Sequence, residues 1–378
     1  MAGIYVHIPF CKKACNYCDF HFSTQLNIIP ELVNAIKKDL ILNKHYLNNE
    51  KIETIYFGGG TPSLLDLNSI EQIISTIHLN YNVVDNIEFT LEANPDDLTK
   101  EKIKSLKQLG INRLSIGLQS FIDEELKWMN RSHKAYQSIN SVTWAQDEGI
   151  ENISIDLIYG SKFQTLESWK KNINQVLQLK LPHISAYNLT IEDKTLLGKL
   201  NEKGLEPSVN DEFSMQCFDV LICETAKANF IHYEISNFGK EGFFSKHNSN
   251  YWKGIHYLGV GPSAHSYNGN SRKWNISNNN QYIRLINNGQ SFSNSEELSK
   301  VDEYNEYVLT RLRTIWGVEK TMIDSQFGKS YLSHFETEIQ KYLISGDCEF
   351  DDNIYFLTNK GKQIADKITS ELFITSNF

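Results

Sequence analysis

Three cysteines stand within eight residues near the start of the chain, in the stretch CKKACNYC. Cys11, Cys15 and Cys18 follow a C-x3-C-x2-C spacing, and position 20, where a fourth cysteine would continue the run, is Phe20. Closed zinc sites have four ligands, usually arranged as two pairs. A [4Fe-4S] cluster held by three thiolates instead leaves one iron open for a small molecule. The spacing therefore predicts an open iron–sulfur site.

A zinc site remains the alternative, because His7 and His21 flank the cysteine loop and either imidazole would complete four ligands. The other three cysteines are far away in the sequence. We expect them to be small structural residues: Cys217, Cys223 and Cys348.

A glycine-rich turn, YFGGGTPS (56–63), follows the second apolar run. Its centre is Gly59, Gly60 and Thr61. Glycines let the backbone approach a ligand closely, and successive N–H groups form a concave surface that binds anions. The alternative is a tight turn between a strand and a helix, without a ligand.

Polar residues also recur at the ends of otherwise apolar segments. Glu92 lies in LEANP, Gln119 in IGLQS and Asp156 in SIDLIYG, while Arg131 follows in MNRSH. Such groups are costly to bury without a partner. Each one alone is compatible with an ion pair or a capped loop, but together they indicate a polar cofactor.

The segments that carry these residues alternate between strand and helix patterns. The expected strands are 3–8, 52–57, 86–93, 112–120, 152–160 and 183–191, with helices near 31–43, 68–79, 99–108, up to 148, and 165–179. This alternation predicts an α/β fold in which a parallel sheet curls into a partial (β/α)6 TIM-like barrel. Barrels build their sites at the carboxyl ends of the strands, where the polar residues stand.

A second domain is predicted after residue 270. The Asn-rich stretch 275–281 is expected to be a loop, and helices are expected near 302–315 and 332–345, before NIYFLTNKG (353–361) and a short final helix. We therefore predict a barrel domain at 1–270 and a small α+β, winged-helix-like domain at 271–378.

The composition excludes some classes of protein. A net charge of −9 and a pI near 5.7 argue against nucleic-acid binding. The start of the chain lacks the pattern of a secretory signal, and no apolar run is long enough to span a membrane. A cytoplasmic location is expected.

The cysteine spacing followed by GGGTP resembles the radical S-adenosylmethionine (SAM) superfamily. Two segments, Y-x-H-I-P-F-C and GGGTPS, resemble those of one branch of this superfamily. That branch contains the oxygen-independent coproporphyrinogen III dehydrogenases and the heme chaperones. The resemblance is strong over 1–270. It implies that SAM chelates the open iron of a [4Fe-4S] cluster and is cleaved by an electron to methionine and a 5′-deoxyadenosyl radical.

The same resemblance implies roles for individual residues. Tyr17 would lie against the adenine of SAM, and the turn of Gly59, Gly60 and Thr61 would meet its methionyl group. The residues expected to surround the remainder of SAM are Tyr5, Glu92, Gln119, Arg131 and Asp156.

Two departures separate the branches. Dehydrogenases of this family have a further cysteine where this chain has Phe20, and an N-terminal extension where this chain has four residues before Tyr5. Both favour a heme chaperone over the alternative, a radical enzyme that oxidatively decarboxylates coproporphyrinogen III.

A second motif points to haem. SKHNSNYWKG (245–254) fits H-N-x-x-Y-W and resembles a heme chaperone motif, with His247 as the iron ligand and two aromatic rings to flank the porphyrin. The alternative is that these aromatics fill the seam between two domains. His256 and His265 are nearby and leave the ligand open, while 259–265 is interpreted as a packing turn.

The expected partners are haem and haem-acceptor proteins, together with an electron donor such as flavodoxin or ferredoxin, received at Lys12 and Lys13. Peripheral contact with a membrane and a homodimer remain open.

Overall fold

Six parallel strands form the centre of the fold, which a computed structural model describes for residues 1–375. They are β1 (Ala2–Ile8), β2 (Ile52–Gly59), β3 (Val83–Ala93), β4 (Arg113–Gln119), β5 (Asn152–Tyr159) and β6 (His183–Asn188). Each pairs in parallel with the next along the chain. The predicted partial barrel is confirmed.

Helices cover the outside of these strands. They are α1 (Ile29–Leu42), α2 (Leu67–Asn80), α3 (Lys100–Gln108), α4 (Asp123–Trp128), α5 (Ala135–Asp147) and α6 (Leu166–Gln178). Asp66, Thr99 and Thr165 cap three of them by accepting backbone N–H groups. Their apolar sides and one face of the sheet form the main hydrophobic core, which leaves the other face free to line a site.

Six further strands, which the sequence patterns did not predict, extend the sheet at both edges. They are β7 (Ile231–Glu234), β8 (Asn237–Gly239), β9 (Tyr257–Val260), β10 (His265–Tyr267), β11 (Ser271–Asn275) and β12 (Ser293–Glu297). Strand β8 pairs antiparallel with β6, whereas β9 pairs in parallel with β1.

Four helices accompany these added strands. Two lie between β6 and β7, namely α7 (Leu196–Glu202) and α8 (Asp211–Lys227), whereas α9 (Lys246–Trp252) follows β8 and α10 (Asn279–Asn287) follows β11. The predicted Asn-rich loop is therefore wrong beyond Asn278, which caps α10 by accepting the backbone N–H of Gln281.

The C-terminal part has its own sheet. Its elements are α11 (Lys300–Leu312), β13 (Val318–Glu319), α12 (Lys320–Met322), α13 (Lys329–Ile344), β14 (Cys348–Asp351), β15 (Ile354–Leu357), α14 (Asn359–Lys362) and α15 (Ala365–Glu371). A helix, a strand, two helices and a hairpin, with sheet order β13-β15-β14, give the predicted winged-helix-like arrangement.

Along the chain, the last buried residue of the main hydrophobic core is Phe292, and the first buried residue of the C-terminal core is Tyr304. Strands β11 and β12 still belong to the large sheet, so the boundary at 270/271 stays a prediction. Within residues 1–375, none of the helices combines the length and the apolar content that crossing a bilayer requires.

Alternation along β1 to β6 gives the barrel a polar inner face. Strand positions that face the helices are apolar, while those between them carry hydroxyl, carboxyl and basic groups. The inner positions include Thr54, Tyr56, Glu88, Thr90, Glu92, Arg113, Ser154, Asp156, His183 and Ser185.

Candidate functional site

The cysteine loop follows the carboxyl end of β1 and is fixed at two points. The backbone N–H of Cys11 donates to the carbonyl of Ser23 at 3.0 Å. The N–H of Asn16 donates to the carbonyl of Met129 at 3.2 Å, which joins the middle of the loop to the end of α4. These two bonds fix the start and the middle of the cysteine loop at the barrel mouth.

Two of the sulfur atoms accept hydrogen bonds from other parts of the barrel. Thr61 Oγ1 donates to Cys11 Sγ at 3.5 Å, and Arg131 Nη1 donates to Cys15 Sγ at 3.3 Å. Burial raises the pKa of Cys11, and it raises the pKa of Cys18 to about 11, with repulsion from the neighbouring thiolates adding to it. These thiols become good ligands when a cation takes up their charge, so the donor set fits an iron–sulfur cluster.

The glycine turn packs directly against the start of the cysteine loop. The N–H of Gly60 donates to the carbonyl of Ile8 at 2.9 Å, and a Cβ on Gly60 would lie 2.7 Å from the carbonyl oxygen of Phe10. Gly59 has φ +109°, and a Cβ there would lie 2.5 Å from the ring of His7. The turn and the cysteine loop thus form one unit, and the predicted role of the turn in binding SAM stays a prediction.

Glu92 and Asp156 are two carboxyl groups on the inner face of the barrel, and the charge of Asp156 acts on Glu92. The Glu92 carboxylate accepts from Tyr56 OH at 2.8 Å and from the N–H of Gly59 at 3.1 Å. Burial raises the pKa of Glu92 to about 7, and the charge of Asp156 adds to it. Burial also raises the pKa of Asp156 to about 6, against the charge of Arg113. A bound ammonium group would offset the free-energy cost of burying each of these two negative charges.

Arg131 and Gln119 also lie at the carboxyl ends of the barrel strands, near the cysteine loop. Arg131 Nη2 donates to Asn94 Oδ1 and to the carbonyl of Gly117, each at 2.7 Å, but the buried Nε has no hydrogen-bond partner among the described residues. Gln119 has φ +67°, at an irregularity in the pairing of β4 with β5. Such strain and an unpaired buried donor are typical of a site that awaits a ligand.

The two predicted tyrosines lie at different places. Tyr5 OH is 3.0 Å from His7 Nδ1, and its ring lies 6.1 Å from that of Tyr56 on the inner face. Tyr17 packs with a small separate cluster that includes Leu197. The sequence patterns missed Tyr56 and also Asn94, although Asn94 follows Glu92 in the same strand end, EANP.

The histidines of the zinc alternative have other partners. His7 Nε2 lies 3.3 Å from the carbonyl of His21, and His21 Nε2 lies 2.8 Å from Asn279 Oδ1. In the part of the chain that the structure describes, no three His, Cys, Asp or Glu side chains form a preformed ion site. This finding includes the three cysteines, so it does not distinguish zinc from an iron–sulfur cluster.

Lys12 is already paired. Its Nζ lies 2.8 Å from Asp96 Oδ2 and also contacts the buried carboxylate of Asp97. Ser132 Oγ donates to the other oxygen of Asp96 at 2.8 Å. Two carboxylates thus balance the charge of Lys12, and the exposed Lys13 is the more accessible cation for a protein partner.

His247 lies at the opposite end of the barrel from the cysteine loop. Its Nδ1 is 2.8 Å from Thr54 Oγ1, its Nε2 is 2.8 Å from Tyr251 OH, and a Cβ on Gly3 would lie 3.2 Å from its ring. Gly3 precedes Ile8 by five residues, roughly 16 Å along β1. Burial, with the charge of Arg113, lowers the pKa of His247 to about 3.

Both ring nitrogens of His247 are thus in hydrogen bonds, and an iron would have to replace one of these partners. The aromatics of the same motif do contact the C-terminal part: the guanidinium of Arg313 lies 5.6 Å from the Trp252 ring. Haem ligation by His247 stays a prediction.

Comparison with known proteins agrees with this architecture. The radical SAM superfamily pattern matches residues 5–176. The chain is similar to the heme chaperone HemW of Bacillus subtilis (strain 168), with 33% identity over 371 residues, 97% of this chain and 98% of the relative. It is also 33% identical to the heme chaperone HemW of Lactococcus lactis subsp. lactis (strain IL1403), over 98% of this chain and 97% of the relative.

Among solved structures, the coproporphyrinogen III oxidase HemN of Escherichia coli, described as a radical SAM enzyme, superposes with a TM-score of 0.85. The alignment covers 98% of this chain and 90% of that chain at 20% sequence identity. At this identity, the likeness establishes the shared fold.

Proposed function

The chain belongs to the heme chaperone HemW family of the radical SAM superfamily, and on this basis we propose that it binds haem and passes it to acceptor proteins. The observation that supports this most is the extent of the relationship, which covers the barrel and the C-terminal part alike. Delivery of haem requires reversible binding, so the haem site should be accessible from solvent.

We further propose that Cys11, Cys15 and Cys18 hold a [4Fe-4S] cluster and that SAM binds beside it. When bound, the two together supply one-electron chemistry. Arg131 would hold a cluster thiolate through its bond to Cys15, and Glu92 would accept the cationic end of SAM. The residues that would line the remainder of the SAM pocket are Tyr5, Tyr17, Gly59, Gly60, Thr61, Gln119 and Asp156.

The alternative is coproporphyrinogen III dehydrogenation. The likeness to HemN supports the fold, and the difference at Phe20 weighs against the enzyme. Phe20 is 75% exposed beside the cysteine loop and has no sulfur or proton to offer to a substrate. We therefore place haem transfer first.

One experiment separates the two functions. Anaerobically reconstituted protein is titrated with hemin and then mixed with apomyoglobin, and separately it is incubated with coproporphyrinogen III, SAM and dithionite. We expect a saturable Soret shift and transfer of haem to apomyoglobin. Formation of protoporphyrinogen IX would contradict the chaperone function.

A matched pair of cysteine variants tests the cluster. Cys11→Ala should lose bound iron and sulfide, whereas Cys217→Ala, which alters a buried thiol in α8, should keep both.

Gln119→Ala and Asp156→Ala should weaken SAM binding, since a hydrogen bond to a charged group contributes about 1.5–3 kcal/mol. Unchanged SAM affinity in both variants would remove these residues from the pocket.

The cellular setting is part of the proposal. We propose a cytoplasmic protein that receives electrons from an acidic donor such as a flavodoxin or ferredoxin near the exposed Lys13. A homodimer and peripheral membrane contact are compatible with haem transfer. Size-exclusion chromatography with light scattering, and flotation with lipid vesicles, test each of them directly.

A further inference from the structure

A buried chain of hydrogen bonds leads from the inner face of the barrel to the C-terminal part. It begins at Ser185 on β6, whose Oγ donates to Asn237 Oδ1 on β8 at 3.0 Å. Asn237 Nδ2 in turn donates to Glu234 Oε2 on β7 at 2.5 Å. Glu234 is 2% exposed, and its other oxygen accepts from Arg313 Nη2 at 3.2 Å. Three strands and the residue after α11 thus contribute one side chain each to this buried chain.

The first residue of the buried chain adjoins Asp156. Asp156 on β5 and Ser185 on β6 are partners in the parallel pairing of these strands, and both occupy inner positions. Burial raises the pKa of Asp156 to about 6. The charges of Arg113 and Arg131 oppose this shift, and so does hydrogen bonding by Ser185. A hydroxyl has a single proton, so Ser185 donates to Asn237 or to Asp156 but not to both at once.

The last residue of the buried chain is fixed to the C-terminal part. Arg313 Nη1 donates to Asp366 Oδ1 on α15 at 3.0 Å. The backbone beside it pairs with β7, because the N–H of Ile315 donates to the carbonyl of Tyr233 at 3.0 Å. Arg313 therefore joins the buried Glu234 to a helix of the C-terminal part.

The charge of Glu234 sets the direction of these hydrogen bonds. An ionised carboxylate only accepts, so the Asn237 amide turns its NH2 group to Glu234 and its Oδ1 to Ser185. The backbone N–H of Ser236 also donates to Glu234, at 3.0 Å, and Arg313 supplies the positive charge. Removal of this cation favours the neutral form of a buried carboxyl. A protonated Glu234 would donate to Asn237 Oδ1, and the amide would then turn its NH2 group to Ser185.

We propose that the buried chain lets the C-terminal part decide which acceptor the Ser185 hydroxyl serves, which makes Asn237 and Glu234 positioning residues for the SAM pocket. The inference rests on the proposed function, because it requires Asp156 to contact SAM. While Arg313 is in place, the hydroxyl donates to Asn237. When Arg313 is withdrawn, the amide turns over and the hydroxyl donates to Asp156, which stabilises the ionised carboxylate.

Other polar groups face the same region. Ser154 Oγ lies 3.3 Å from Ser185 Oγ, farther away than Asn237 Oδ1, and has a closer partner in His183 Nδ1 at 2.7 Å. The charged and titratable groups that interact with Asp156 are Arg113, Arg131, Glu92, Tyr56 and Tyr187. Burial raises the pKa of both tyrosines, whereas the pKa of Glu92 is about 7. Glu92 therefore titrates in the same range as Asp156, and each variant is compared with wild-type protein so that its contribution is shared.

The test measures the pKa of Asp156 by NMR titration of isotope-labelled aspartate carboxyls in the full, iron-free chain, with the signal identified by its loss in Asp156→Asn. For Asn237→Leu, which removes the competing acceptor, we expect this pKa to fall by roughly one pH unit, as a hydrogen bond to a charged group produces. Arg313→Met should lower it as well. Arg311→Met is the matched control, because Arg311 pairs with Glu319 instead, and it should leave the pKa unchanged.

A double variant separates the buried chain from a local disturbance. In a Ser185→Ala background, Asn237→Leu should no longer shift the pKa of Asp156, because the donor is gone. An equal shift in that background, or no shift in Asn237→Leu itself, would overturn the inference. So would an unchanged pKa in Arg313→Met, since the C-terminal part would then exert no control. If Asn237→Leu does not fold, the partly exposed Arg313→Met, with and without Ser185→Ala, provides the same comparison.

The SAM affinity of the reconstituted protein, measured by equilibrium dialysis between pH 5 and pH 8, distinguishes this inference from the proposed function. Because ionised Asp156 is the form that accepts hydrogen bonds from SAM, Asn237→Leu should keep its affinity to a pH roughly one unit lower than wild-type protein. A shifted pKa of Asp156 with a SAM affinity that does not follow it would remove Asp156 from the SAM pocket and leave the buried chain in place. A SAM affinity that follows Asp156 but ignores Asn237 and Arg313 would overturn the inference alone.

Discussion

Arg131 Nη1 lies 3.3 Å from Cys15 Sγ, so a guanidinium from the segment after α4 holds a thiol of the loop that follows β1. The same side chain donates to Asn94 and to the carbonyl of Gly117. One residue therefore joins the cysteine loop, the end of β3 and the end of β4, and it places a positive charge beside the proposed cluster.

Arg131→Gln should shift the reduction potential of the reconstituted cluster to more negative values. Removal of a positive charge and of a hydrogen bond to sulfur disfavours the added electron. The hydrogen bond itself contributes about 1.5–3 kcal/mol, so cluster retention should also fall. Redox titration followed by EPR measures the potential.

Lys13→Gln is the control for this variant, because it removes an exposed charge from the same loop. Its potential should change less than that of Arg131→Gln. An unchanged or more positive potential in Arg131→Gln would show that the guanidinium does not act on the cluster.

Lys12→Met should destabilise the iron-free protein by roughly 1–3 kcal/mol at pH 7, because it leaves two carboxylates without their cation. Although burial opposes ionisation, hydrogen bonds from Lys12 and Ser132 hold the pKa of Asp96 below its ordinary value. This stabilisation is present above the unfolded pKa of 3.8 and is lost as the pH falls through the lower folded value.

Urea unfolding at pH 7 and at pH 3 measures this effect. The difference between Lys12→Met and wild-type protein should be smaller at the acidic pH, and Lys13→Met should match the wild type at both. An equal loss at both pH values would mean that packing of the Lys12 stem, and not its charge, supports the loop.

The central strands were predictable because their apolar runs alternate with helical segments, and the carboxyl ends of parallel strands meet at one edge. The same reasoning predicted that Glu92, Gln119 and Asp156 lie at the barrel mouth. The added strands have only three to five residues, and β9 pairs with β1 about 250 residues earlier in the chain. No local pattern encodes such a pairing.

His247 shows a second limit of sequence patterns. The backbone N–H groups of Lys246 and His247 donate to the Glu88 carboxylate, each at 2.9 Å, and this docks α9 at the amino ends of the strands. The motif does not predict this contact, because Glu88 lies on β3, 158 residues before Lys246 in the sequence. The motif therefore ends at the opposite side of the barrel from the cysteines.

Glu92→Gln should stabilise the iron-free protein at alkaline pH. Burial raises the pKa of Glu92 from 4.5 to about 7, so its contribution to stability is fully present below pH 4.5 and is lost as the pH rises through 7. Since one pKa unit corresponds to about 1.36 kcal/mol, the variant should gain up to roughly 3 kcal/mol at pH 8 relative to pH 4.

Unfolding in urea at the two pH values checks this prediction. Asp156→Asn should show the same trend, because burial raises the pKa of Asp156 to about 6. Equal stability changes at both pH values would show that these carboxyls are better solvated than the structure indicates.

The last prediction concerns the structural role of His247. His247→Ala should lower the free energy of unfolding by roughly 2–4 kcal/mol without any haem, because it leaves Thr54 Oγ1 and Tyr251 OH unpaired and opens a cavity. His265→Ala, at an exposed position, should change it by less than about 0.5 kcal/mol. Chemical denaturation of the haem-free protein compares the two.

The pH dependence provides an independent check. Burial lowers the pKa of His247 from 6.5 to about 3, so the stabilisation from the neutral ring is present above pH 6.5 and is lost as the pH falls toward 3. The difference between His247→Ala and wild-type protein should shrink over that range. Thr54→Val and Tyr251→Phe should each cost about 1 kcal/mol, as single hydrogen bonds do. Full stability of His247→Ala at pH 7 would show that the ring is not a structural anchor and is free to bind iron.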